Sequence, residues 1–535
     1  MDAMSAQYTA ISVTGTGARR HVELNRPDRH NAQNLTMLPD LGATWNLPRL
    51  VGHQRALDLI LTGRPITGAE ASALGVALQS VAADALDDAV VTYAERIGGL
   101  SRVAVASVKA SVDATDENTS LKSQEPGRQL HSSVRQPKPI AGEHIMTAQL
   151  TGTAGASTIH GPEHAQFRDT VSTFIERNVV PHFERWEATK VVDREFFAQA
   201  GEAGLLLFAT PEEFGGAGID DFRFNAIVND EFSRAGLGSA GLGLALQNDV
   251  VGPYLLGLTN DEQKARWLPG LTSGELIGAI AMTEPGTGSD LSGIATGAVR
   301  DGDEYVINGA KTFISNGQNC DLVIVAARTS DDRHKGLTLI VVETGTTGFE
   351  KGRNLDKLGL HGQDTSELSF TDVRVPVANR LGTEGEGFLQ LMRNLPQERL
   401  SLAVSAVGAA EGTLARTMDY VKERKAFGQP IGSFQNSRFV LAELETEISI
   451  ARVFVDHCVD LLVRKELSSV QAAKAKWWTT ELQLRTADRC LQLHGGYGYM
   501  REYPVSRAFV DARIQTIYGG TTEIMKEIIG RSMGL

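Results

Sequence analysis

The chain has 535 residues, of which 42% are apolar and 22% are charged, and it carries a formal net charge of -13. This length allows several domains with large cores, and the composition is that of an ordinary globular protein. The negative charge argues against nucleic acid or an anionic membrane surface as the main partner.

The sequence also lacks the patterns of an exported, membrane or metal-binding protein. No apolar run reaches membrane-spanning length, and the N-terminus shows no charged-then-apolar signal pattern. Cys320, Cys458 and Cys490 lie far apart and have no metal-ligand spacing. We therefore expect a cytoplasmic protein that spans no membrane, binds no metal and keeps its thiols free.

Residues 1–118 differ in pattern from the rest of the chain. Ser12–Thr14 and Arg20–Leu24 have the residue types of two strands around a glycine turn. Residues 54–62 and 88–97 have apolar residues at helical spacing. This part of the chain therefore has the mixed pattern of an α/β fragment.

Asn25 opens the stretch NRPDRHNA, which resembles the N-R-P-x-x-x-N-A opening of the enoyl-CoA hydratase/isomerase (crotonase) family. From Gly42 onwards the chain resembles a much later part of that fold, so the resemblance implies an incomplete crotonase-like fragment. In that family the intervening segment carries the oxyanion-hole amides and the acid/base carboxylates. Without donors aimed at the thioester oxygen, the main electrostatic contribution to catalysis is absent. We therefore expect no hydratase activity.

Residues 119–158 are rich in Ser, Thr, Gly, Pro, Gln and Lys and have no sustained periodicity, which predicts a flexible linker. Met146 lies within it. A chain that begins at Met146 would retain every later motif, and this suggests that residues 1–145 are dispensable.

Residues 159–276 have helical patterns. Apolar residues recur at helical spacing after His160, and Pro181 predicts the end of that helix. Further on, Asn260 has the side chain of a good N-cap and is followed by two acidic residues, which predicts another helix start.

Residues 277–385 have the pattern of consecutive short strands, IGAIAMT, ATGAVR, EYVI, KTFIS and DLVIVAA, which predicts an antiparallel sheet. Asp301-Gly302 and Asn308-Gly309 are hairpin signals, because these residues tolerate the positive φ of tight turns. Between the first two strands lies the loop TEPGTGSD, residues 283–290. Its glycines suit close approach to an anionic ligand, although a tight connection between strands would use them too.

Residues 386–535 are again helical. Glu398 follows Pro396 in what the sequence predicts to be the first turn of a helix, ahead of the apolar run LSLAVSAVGAA. Burial beside that run would raise the pKa of the carboxyl group towards the range of a general base, whereas a helix N-terminus and Arg399 would favour the ionised form. These residues alone leave two roles open for Glu398, a general base and a group that complements the helix dipole.

The loop TEPGTGSD and the strand KTFISNG together resemble the flavin-binding middle domain of acyl-CoA dehydrogenases, and the resemblance continues to Leu535. It implies an α+β multidomain protein with a helical N-terminal domain (159–276), an antiparallel β middle domain (277–385) and a C-terminal helical bundle (386–535). It also implies FAD as the cofactor and an acyl-CoA thioester as the substrate, which would be oxidised to the trans-2-enoyl-CoA.

The C-terminal motif departs from the pattern of most family members, in which a Glu base directly follows the Tyr of Y-E-G-T. Here Gly519 follows Tyr518, and glycine cannot take a proton. The long-chain and isovaleryl subfamilies carry a Glu before an Arg on an earlier helix, and Glu398-Arg399 matches that arrangement. The resemblance therefore favours Glu398 as the catalytic base, and Glu523 is a weaker candidate.

Glu527, on the same terminal segment, is also a weaker candidate for the base. The resemblance places the backbone N–H of Gly519 against the thioester carbonyl. The residues that it implies for substrate binding are Ser289, Arg399, Tyr518 and Gly519. The residues that it implies for FAD binding are Met282, Thr283, Gly288, Ser289, Phe313, Ile314, Ser315, Arg424, Phe427, Gln435, Gln492, Gly495, Gly496, Thr521 and Glu523.

In the family the FAD site uses residues from two chains, so the resemblance implies a homodimer or a homotetramer. It also implies an electron-transfer flavoprotein as the acceptor that reoxidises the flavin. Two alternatives stay open. Gly519 would suit a catalytically silent flavin- or acyl-CoA-binding protein, and the N-terminal fragment would suit a bifunctional hydratase–dehydrogenase. Glu398 opposes the first, and the missing oxyanion segment opposes the second.

Overall fold

The computed structural model describes residues 6–7, 11–14, 21–24, 56, 68–74, 159–332 and 335–535. The chain divides into two units, residues 1–137 and residues 138–535. Within the described residues, no helix is both long and apolar enough to cross a membrane.

The first unit contains a small antiparallel sheet. Its strands are β1 (Ala6–Gln7), β2 (Ile11–Thr14) and β3 (His21–Leu24), paired in the order β1-β2-β3, and a helix α1 (Gly68–Ala73) follows. Strands β2 and β3 confirm the predicted strand pair, and the residues between them lie outside the described residues. Apart from Ala56, the predicted helices 54–62 and 88–97 and the linker 119–158 lie outside the described residues.

The second unit begins with helices, as predicted. Their bounds are α2 (Pro162–Phe174), α3 (Val180–Thr189), α4 (Arg194–Glu202), α5 (Phe222–Arg234), α6 (Gly238–Ala245), α7 (Gly252–Leu258) and α8 (Asp261–Ser273). Asn260 caps α8 and forms a capping box with Gln263, which confirms the predicted helix start.

Pro181 does not end a helix, so that prediction is wrong. A π-helical turn, Ile175–Val179, joins α2 to α3, and Pro181 lies in the first turn of α3. A second π turn, Leu246–Val251, joins α6 to α7 just ahead of Pro253. Proline has no N–H and its ring crowds the carbonyl group four residues earlier, and a wider turn relieves both problems.

The sheet follows the helices. Its strands are β4 (Gly278–Ala281), β5 (Gly297–Asp301), β6 (Glu304–Ser315), β7 (Leu322–Arg328), β8 (Leu337–Glu343), β9 (Phe349–Asn354), β10 (Thr365–Pro376) and β11 (Arg380–Leu381). The order is β11-β8-β7-β5-β6-β10-β9, with β4 beside β7. Most pairs are antiparallel as predicted, but β7 pairs in parallel with both β4 and β5.

The hairpin signal at Asp301-Gly302 is confirmed, because β5 turns there into β6. The signal at Asn308-Gly309 is wrong: β6 runs through it, so EYVI and KTFIS belong to one strand. Asn308 faces a bulge in β10 and exchanges two hydrogen bonds with Asp372, at 3.0 and 2.8 Å. Gly309 has a φ of +154° and lies close to Thr296. Its missing side chain therefore serves a close approach rather than a turn.

Helices form the rest of the second unit. Their bounds are α9 (Gly387–Glu423), α10 (Gln435–Val463), α11 (Ser469–His494), α12 (Pro504–Gln515) and α13 (Thr522–Ser532). A two-stranded ribbon, β12 (Lys425–Ala426) with β13 (Gln429–Pro430), separates α9 from α10. Pro396 lies inside α9 rather than at its start. The prediction that Glu398 occupies the first turn of a helix is therefore wrong.

A buried charge cluster joins the first helices to the last ones. The carboxylate of Asp230 on α5 contacts Arg168 at 3.0 Å, Arg234 at 2.9 Å and Arg452, on α10, at 2.6 Å. Burial opposes ionisation of Asp230, but the three guanidinium groups outweigh it and hold its pKa well below the usual range. Removal of one partner from such a cluster leaves an uncompensated buried charge.

Substitution of Gly309 by alanine tests the role assigned to this glycine. An added Cβ would lie 2.4 Å from Thr296 Oγ1 and 2.8 Å from Thr296 Cα. We expect Gly309→Ala to destabilise the protein by about 2 kcal/mol and to lower the melting temperature by several degrees. The control is Gly297→Ala on β5, where no atom lies within 4 Å of an added Cβ. Equal melting temperatures for the two variants, measured by calorimetry, would contradict this role.

Candidate active site

Glu398 is a buried carboxyl group in the interior of α9. Only 7% of its surface is exposed, and its Oε1 accepts a hydrogen bond from the hydroxyl group of Tyr254 at 3.0 Å. Burial raises the pKa of Glu398 to about 7, and the hydrogen bond from Tyr254 and the charge of Arg399 act in the opposite direction. A carboxyl group with this pKa can take up and release a proton near neutral pH.

The π turn ahead of Tyr254 holds the helix on both sides of Glu398. Pro253 has no N–H to donate to the carbonyl oxygen of Asp249, and this oxygen accepts instead from Gln397 Nε2 at 3.1 Å. The Asp249 carboxylate accepts from Ser401, one helical turn further along α9. The residue before Glu398 and the residue three positions after it are therefore both bound to one turn.

The same π turn is attached to the sheet. The side-chain amide of Gln247 donates to the carbonyl of Gly278 at 3.1 Å and accepts from its N–H at 3.2 Å. Gly278 begins β4, the strand that leads into the loop TEPGTGSD. The carboxylate of Glu398 and the start of this loop thus share one support.

The loop itself is held by a buried ion pair. Glu284 accepts from the backbone N–H groups of Ala295 and Thr296 at 2.7 and 2.9 Å and lies 2.8 Å from Lys311 Nζ on β6. Lys311 also donates to the carbonyls of Met282 and Ala326. Burial lowers the pKa of Lys311 to about 8, against the influence of Glu284. These contacts fix the two ends of the loop and leave its middle open.

Open space surrounds the middle of the loop, since a Cβ at Gly286 or Gly288 would meet no atom within 4 Å. Nearby, Thr312 N–H donates to the carbonyl of Thr283 at 3.0 Å, and Phe313 follows with 67% of its surface exposed. Phe313 has a φ of +60°, which is rare for an aromatic residue. An exposed aromatic ring held in this conformation beside open backbone indicates a surface for a flat ligand.

Two glycines lie against the part of α9 that carries Glu398. Gly519 and Gly520 have φ angles of +63° and +101°. Arg399 Nε donates to the carbonyl of Gly519 at 3.3 Å, which joins this loop to the residue directly after Glu398. Tyr518, the residue before them, has its pKa raised by burial and by Asp511. The structure therefore brings two residues of the predicted substrate set, Arg399 and Gly519, into contact next to Glu398.

A separate open cleft of about 580 Å³ contains four of the predicted cofactor residues, Arg424, Gln492, Gly495 and Gly496. The Arg424 guanidinium lies 5.3 Å from the centre of the Tyr497 ring. An added Cβ at Gly495 or Gly496 would meet no atom within 4 Å, so the glycines present backbone to the cleft. This combination of a guanidinium group and open backbone suits a phosphorylated ligand.

The other predicted cofactor residues near this end of the chain lie outside the cleft lining. Phe427 is at the tip of the β12–β13 ribbon, 88% exposed and with a φ of +50°. Gln435 is the first residue of α10. Thr521 accepts from Ile524 N–H at 3.4 Å as the N-cap of α13, and Glu523 is in the first turn of that helix. The predicted cofactor set is thus divided within one chain.

The sequence analysis missed Tyr254 and Asp249. Tyr254 lies in the apolar stretch PYLLGL and has the pattern of a core residue. The one available signal was Pro253, because a proline inside a helical pattern indicates a distorted turn, and such turns are frequent at functional sites.

Models of known protein families match most of this chain. Residues 161–275 match the model of the acyl-CoA dehydrogenase N-terminal domain, residues 279–373 that of the middle domain and residues 385–534 that of the C-terminal domain. Residues 22–145 match the enoyl-CoA hydratase/isomerase model, and this match extends into the predicted linker. Both resemblances expected from the sequence are confirmed.

Individual relatives agree. The chain is 47% identical over 382 residues to the mitochondrial long-chain specific acyl-CoA dehydrogenase of Sus scrofa, covering 71% of this chain and 88% of the relative. An acyl-CoA dehydrogenase of Bacillus subtilis is 37% identical, covering 69% and 97%.

A crystal structure of an acyl-CoA dehydrogenase from Geobacillus kaustophilus superposes with a TM-score of 0.70 at 45% identity, covering 71% of this chain and all of that one. Helical parts on either side of a β domain are thus shared with known members of this family. This chain belongs to the acyl-CoA dehydrogenase family of FAD-dependent oxidoreductases.

Proposed function

We propose that this protein oxidises an acyl-CoA thioester to the trans-2-enoyl-CoA, with Glu398 as the base that takes the α-proton. The observation that carries the proposal is the buried Glu398 carboxyl group with a pKa of about 7, beside a loop in which Gly519 offers no acidic side chain. Medium, long or branched acyl chains are the proposed substrates.

The residues present suit an FAD. The open backbone at Gly286 and Gly288 and the exposed ring of Phe313 would receive a flat ring system, and Arg424 and Gln492 in the cleft would bind phosphate and adenine groups. Bound FAD supplies the hydride acceptor that no protein side chain can provide.

Glu398 performs the proton transfer in this proposal. Its Oε1 is held by Tyr254, which leaves Oε2 to accept the α-proton. The α-proton becomes acidic when hydrogen bonds polarise the thioester carbonyl, and the N–H of Gly519 would donate one of them. Arg399 contributes by binding the carbonyl of Gly519, which limits the motion of this loop relative to Glu398.

A homodimer or homotetramer would complete the cofactor site. Phe427 and Gln435 lie outside the cleft that contains Arg424, and α10 exposes the apolar residues Phe439 and Val453. Exposed apolar surface of this kind suits contact with a second chain.

An electron-transfer flavoprotein is the proposed acceptor of electrons from the reduced flavin. The cytoplasmic location stays a prediction, and relatives from animals are named mitochondrial enzymes.

A catalytically silent acyl-CoA-binding protein is the alternative, because Gly519 lacks a carboxyl group. The test is anaerobic mixing of the flavin-loaded protein with palmitoyl-, octanoyl- and isovaleryl-CoA while the flavin absorbance is followed. We expect bleaching in the parent and a loss of about 10⁴-fold in rate in Glu398→Gln, because the amide cannot take a proton. Glu527→Gln, on the exposed side of α13, is the control and should bleach at the parent rate.

Each outcome of this mixing experiment supports one of the proposed functions over the other. No bleaching of the parent with any of these thioesters would favour the silent binder. Bleaching in both the parent and Glu398→Gln at similar rates would retain the enzyme and assign the base elsewhere.

Tyr254→Phe tests the hydrogen bond to Glu398. The hydroxyl group favours the ionised carboxylate, so its removal should raise the pKa of Glu398 above about 7. We expect the acid limb of the limiting bleaching rate to move to higher pH by about one unit. The matched control is Tyr305→Phe, which removes another tyrosine–carboxylate bond, to Glu384 at 2.7 Å in the sheet. An unchanged midpoint in Tyr254→Phe would show that this bond does not tune the carboxyl group.

Glu398→Gln should also change stability with pH. The pKa of Glu398 is about 7 in the folded protein, against the ordinary value of 4.5 for an exposed Glu, so the folded state holds its proton more tightly. Stability is therefore lost as the pH rises from about 4.5 to 7, by on the order of 3 kcal/mol above pH 7. We expect Glu398→Gln to melt above the parent at pH 8 and close to it at pH 4.5, at equal flavin content. Equal melting temperatures at pH 8 would contradict the raised pKa.

A further inference from the structure

Lys476 is a buried lysine on α11 whose side chain is 0% exposed. Its Nζ donates to the carbonyl oxygen of Gly520 at 2.7 Å. Among the ion pairs of the described residues, none involves Lys476, although burial of an ammonium group without a carboxylate is costly. Such an unfavourable arrangement indicates that the contact with Gly520 has a use.

The other fully buried lysine shows what a structural role requires. Lys311 has the same degree of burial, but it pairs with Glu284 and donates to two backbone carbonyls. Burial lowers the pKa of Lys311 to about 8 and that of Lys476 to about 7, where the charge of Arg399 adds to the effect. Lys476 therefore lacks the compensation that Lys311 has.

The charged groups around Lys476 come from three helices. Arg399 on α9 disfavours the protonated form of Lys476. Glu481, on α11 like Lys476 itself, and Glu523 on α13 favour it. Glu481 also accepts a hydrogen bond from Thr522 at 2.9 Å. Lys526 on α13 lies over the Trp477 ring, 4.9 Å from its centre. The ammonium group of Lys476 is thus directed at the Gly520 carbonyl rather than at a carboxylate.

The Gly519–Gly520 loop has a backbone that needs such support. Both residues have positive φ, and glycine is the residue with the most conformational freedom. Arg399 binds the carbonyl of Gly519 from α9, and Lys476 binds the carbonyl of Gly520 from α11. Two buried cations on two different helices therefore fix two consecutive peptide groups.

We propose that protonated Lys476 is a positioning residue for the oxidation reaction, which holds the Gly519–Gly520 backbone so that the Gly519 N–H points at the thioester oxygen. This inference rests on the proposed function. It assigns Lys476 a contribution through the backbone and no contact with the substrate. The hydrogen bond that it positions becomes stronger as the thioester oxygen gains charge in the transition state.

Two opposite protonation requirements follow from this assignment. Glu398 must be ionised to take the α-proton, so the rate rises with pH through its pKa. Protonated Lys476 binds the Gly520 carbonyl more strongly than the neutral amine would, so the rate falls as the pH rises through the pKa of Lys476. The limiting rate of bleaching should therefore pass through a maximum near neutral pH.

The test compares Lys476→Met with Lys474→Met, an exposed position two residues earlier on the same helix. Anaerobic bleaching is measured with the thioester that reduces the parent fastest. In Lys476→Met we expect the limiting rate to fall at least about tenfold, while the dissociation constant of the thioester changes less than about threefold. Lys474→Met should match the parent. A parent-like limiting rate in Lys476→Met, at equal flavin content, would overturn the assignment.

The pH profile of the limiting rate, measured for the parent and for Lys476→Met, is a second test. The limiting rate should decline between about pH 7 and pH 9, and this decline should be absent from Lys476→Met. A level rate in the parent up to pH 9, or the same decline in Lys476→Met, would overturn the assignment while the parent's bleaching leaves the proposed function intact. A parent that does not bleach would remove the proposed function and this inference with it.

Discussion

The position of Glu398 depends on a carbonyl group that a proline leaves without its usual helical donor. Pro253 cannot donate to Asp249, and Gln397 Nε2 takes the place of the missing N–H. The Asp249 carboxylate, held by Asn225 and Asn229 at 2.7 Å each, accepts from Ser401 in addition. Since Gln397 and Ser401 lie on either side of Glu398, one distorted turn binds α9 on both sides of this carboxyl group.

Three buried charged groups, Asp230, Glu398 and Lys476, differ in their partners. Asp230 has three arginine partners, and its pKa moves further towards the charged form. Glu398 and Lys476 have single uncharged partners, Tyr254 and the Gly520 carbonyl, and their pKa values both move to about 7. The first arrangement holds helices together at every ordinary pH. The second keeps groups able to exchange protons, at a cost in stability.

Much of the second unit could be predicted from local pattern, and the failures have physical causes. The helical and β parts follow from periodicity, and the Asn260 capping box marks a helix start in the sequence itself. Asn308-Gly309 has hairpin chemistry, but the contact with Thr296 uses the same residue types for a different purpose. Pro396 and Pro181 have the pattern of helix boundaries, but both lie within helical segments. The sequence does not show whether neighbouring elements bind the carbonyl groups that a proline leaves without a donor, so these predictions failed.

Some residues of the candidate site can be recognised from local sequence motifs, whereas others can be recognised only from tertiary contacts. Glu398 and the glycine loops were found because their motifs are contiguous in sequence. Tyr254 is 144 residues from Glu398 and looks like any other buried aromatic residue. The sequence does contain one indication of Lys476. It follows Ala472 by four residues, so helical spacing puts it on the buried face of α11. A fully buried lysine is rare, which makes Lys476 a candidate functional residue.

The geometry around Gly519 is consistent with the proposed base on α9. Gly519 has a φ of +63°, and an added Cβ there would lie 2.5 Å from Leu402 Cδ1. Leu402 is four residues after Glu398 on the same helix, so it covers the space next to the carboxyl group. A side chain at position 519 would both strain the backbone and displace Leu402. Because Gly519 keeps only its backbone, the loop can approach α9 closely, and Arg399 can reach its carbonyl. The glycine and the carboxylate on α9 are therefore parts of one arrangement, in which the missing side chain of Gly519 lets the loop pack closely against the helix that carries Glu398.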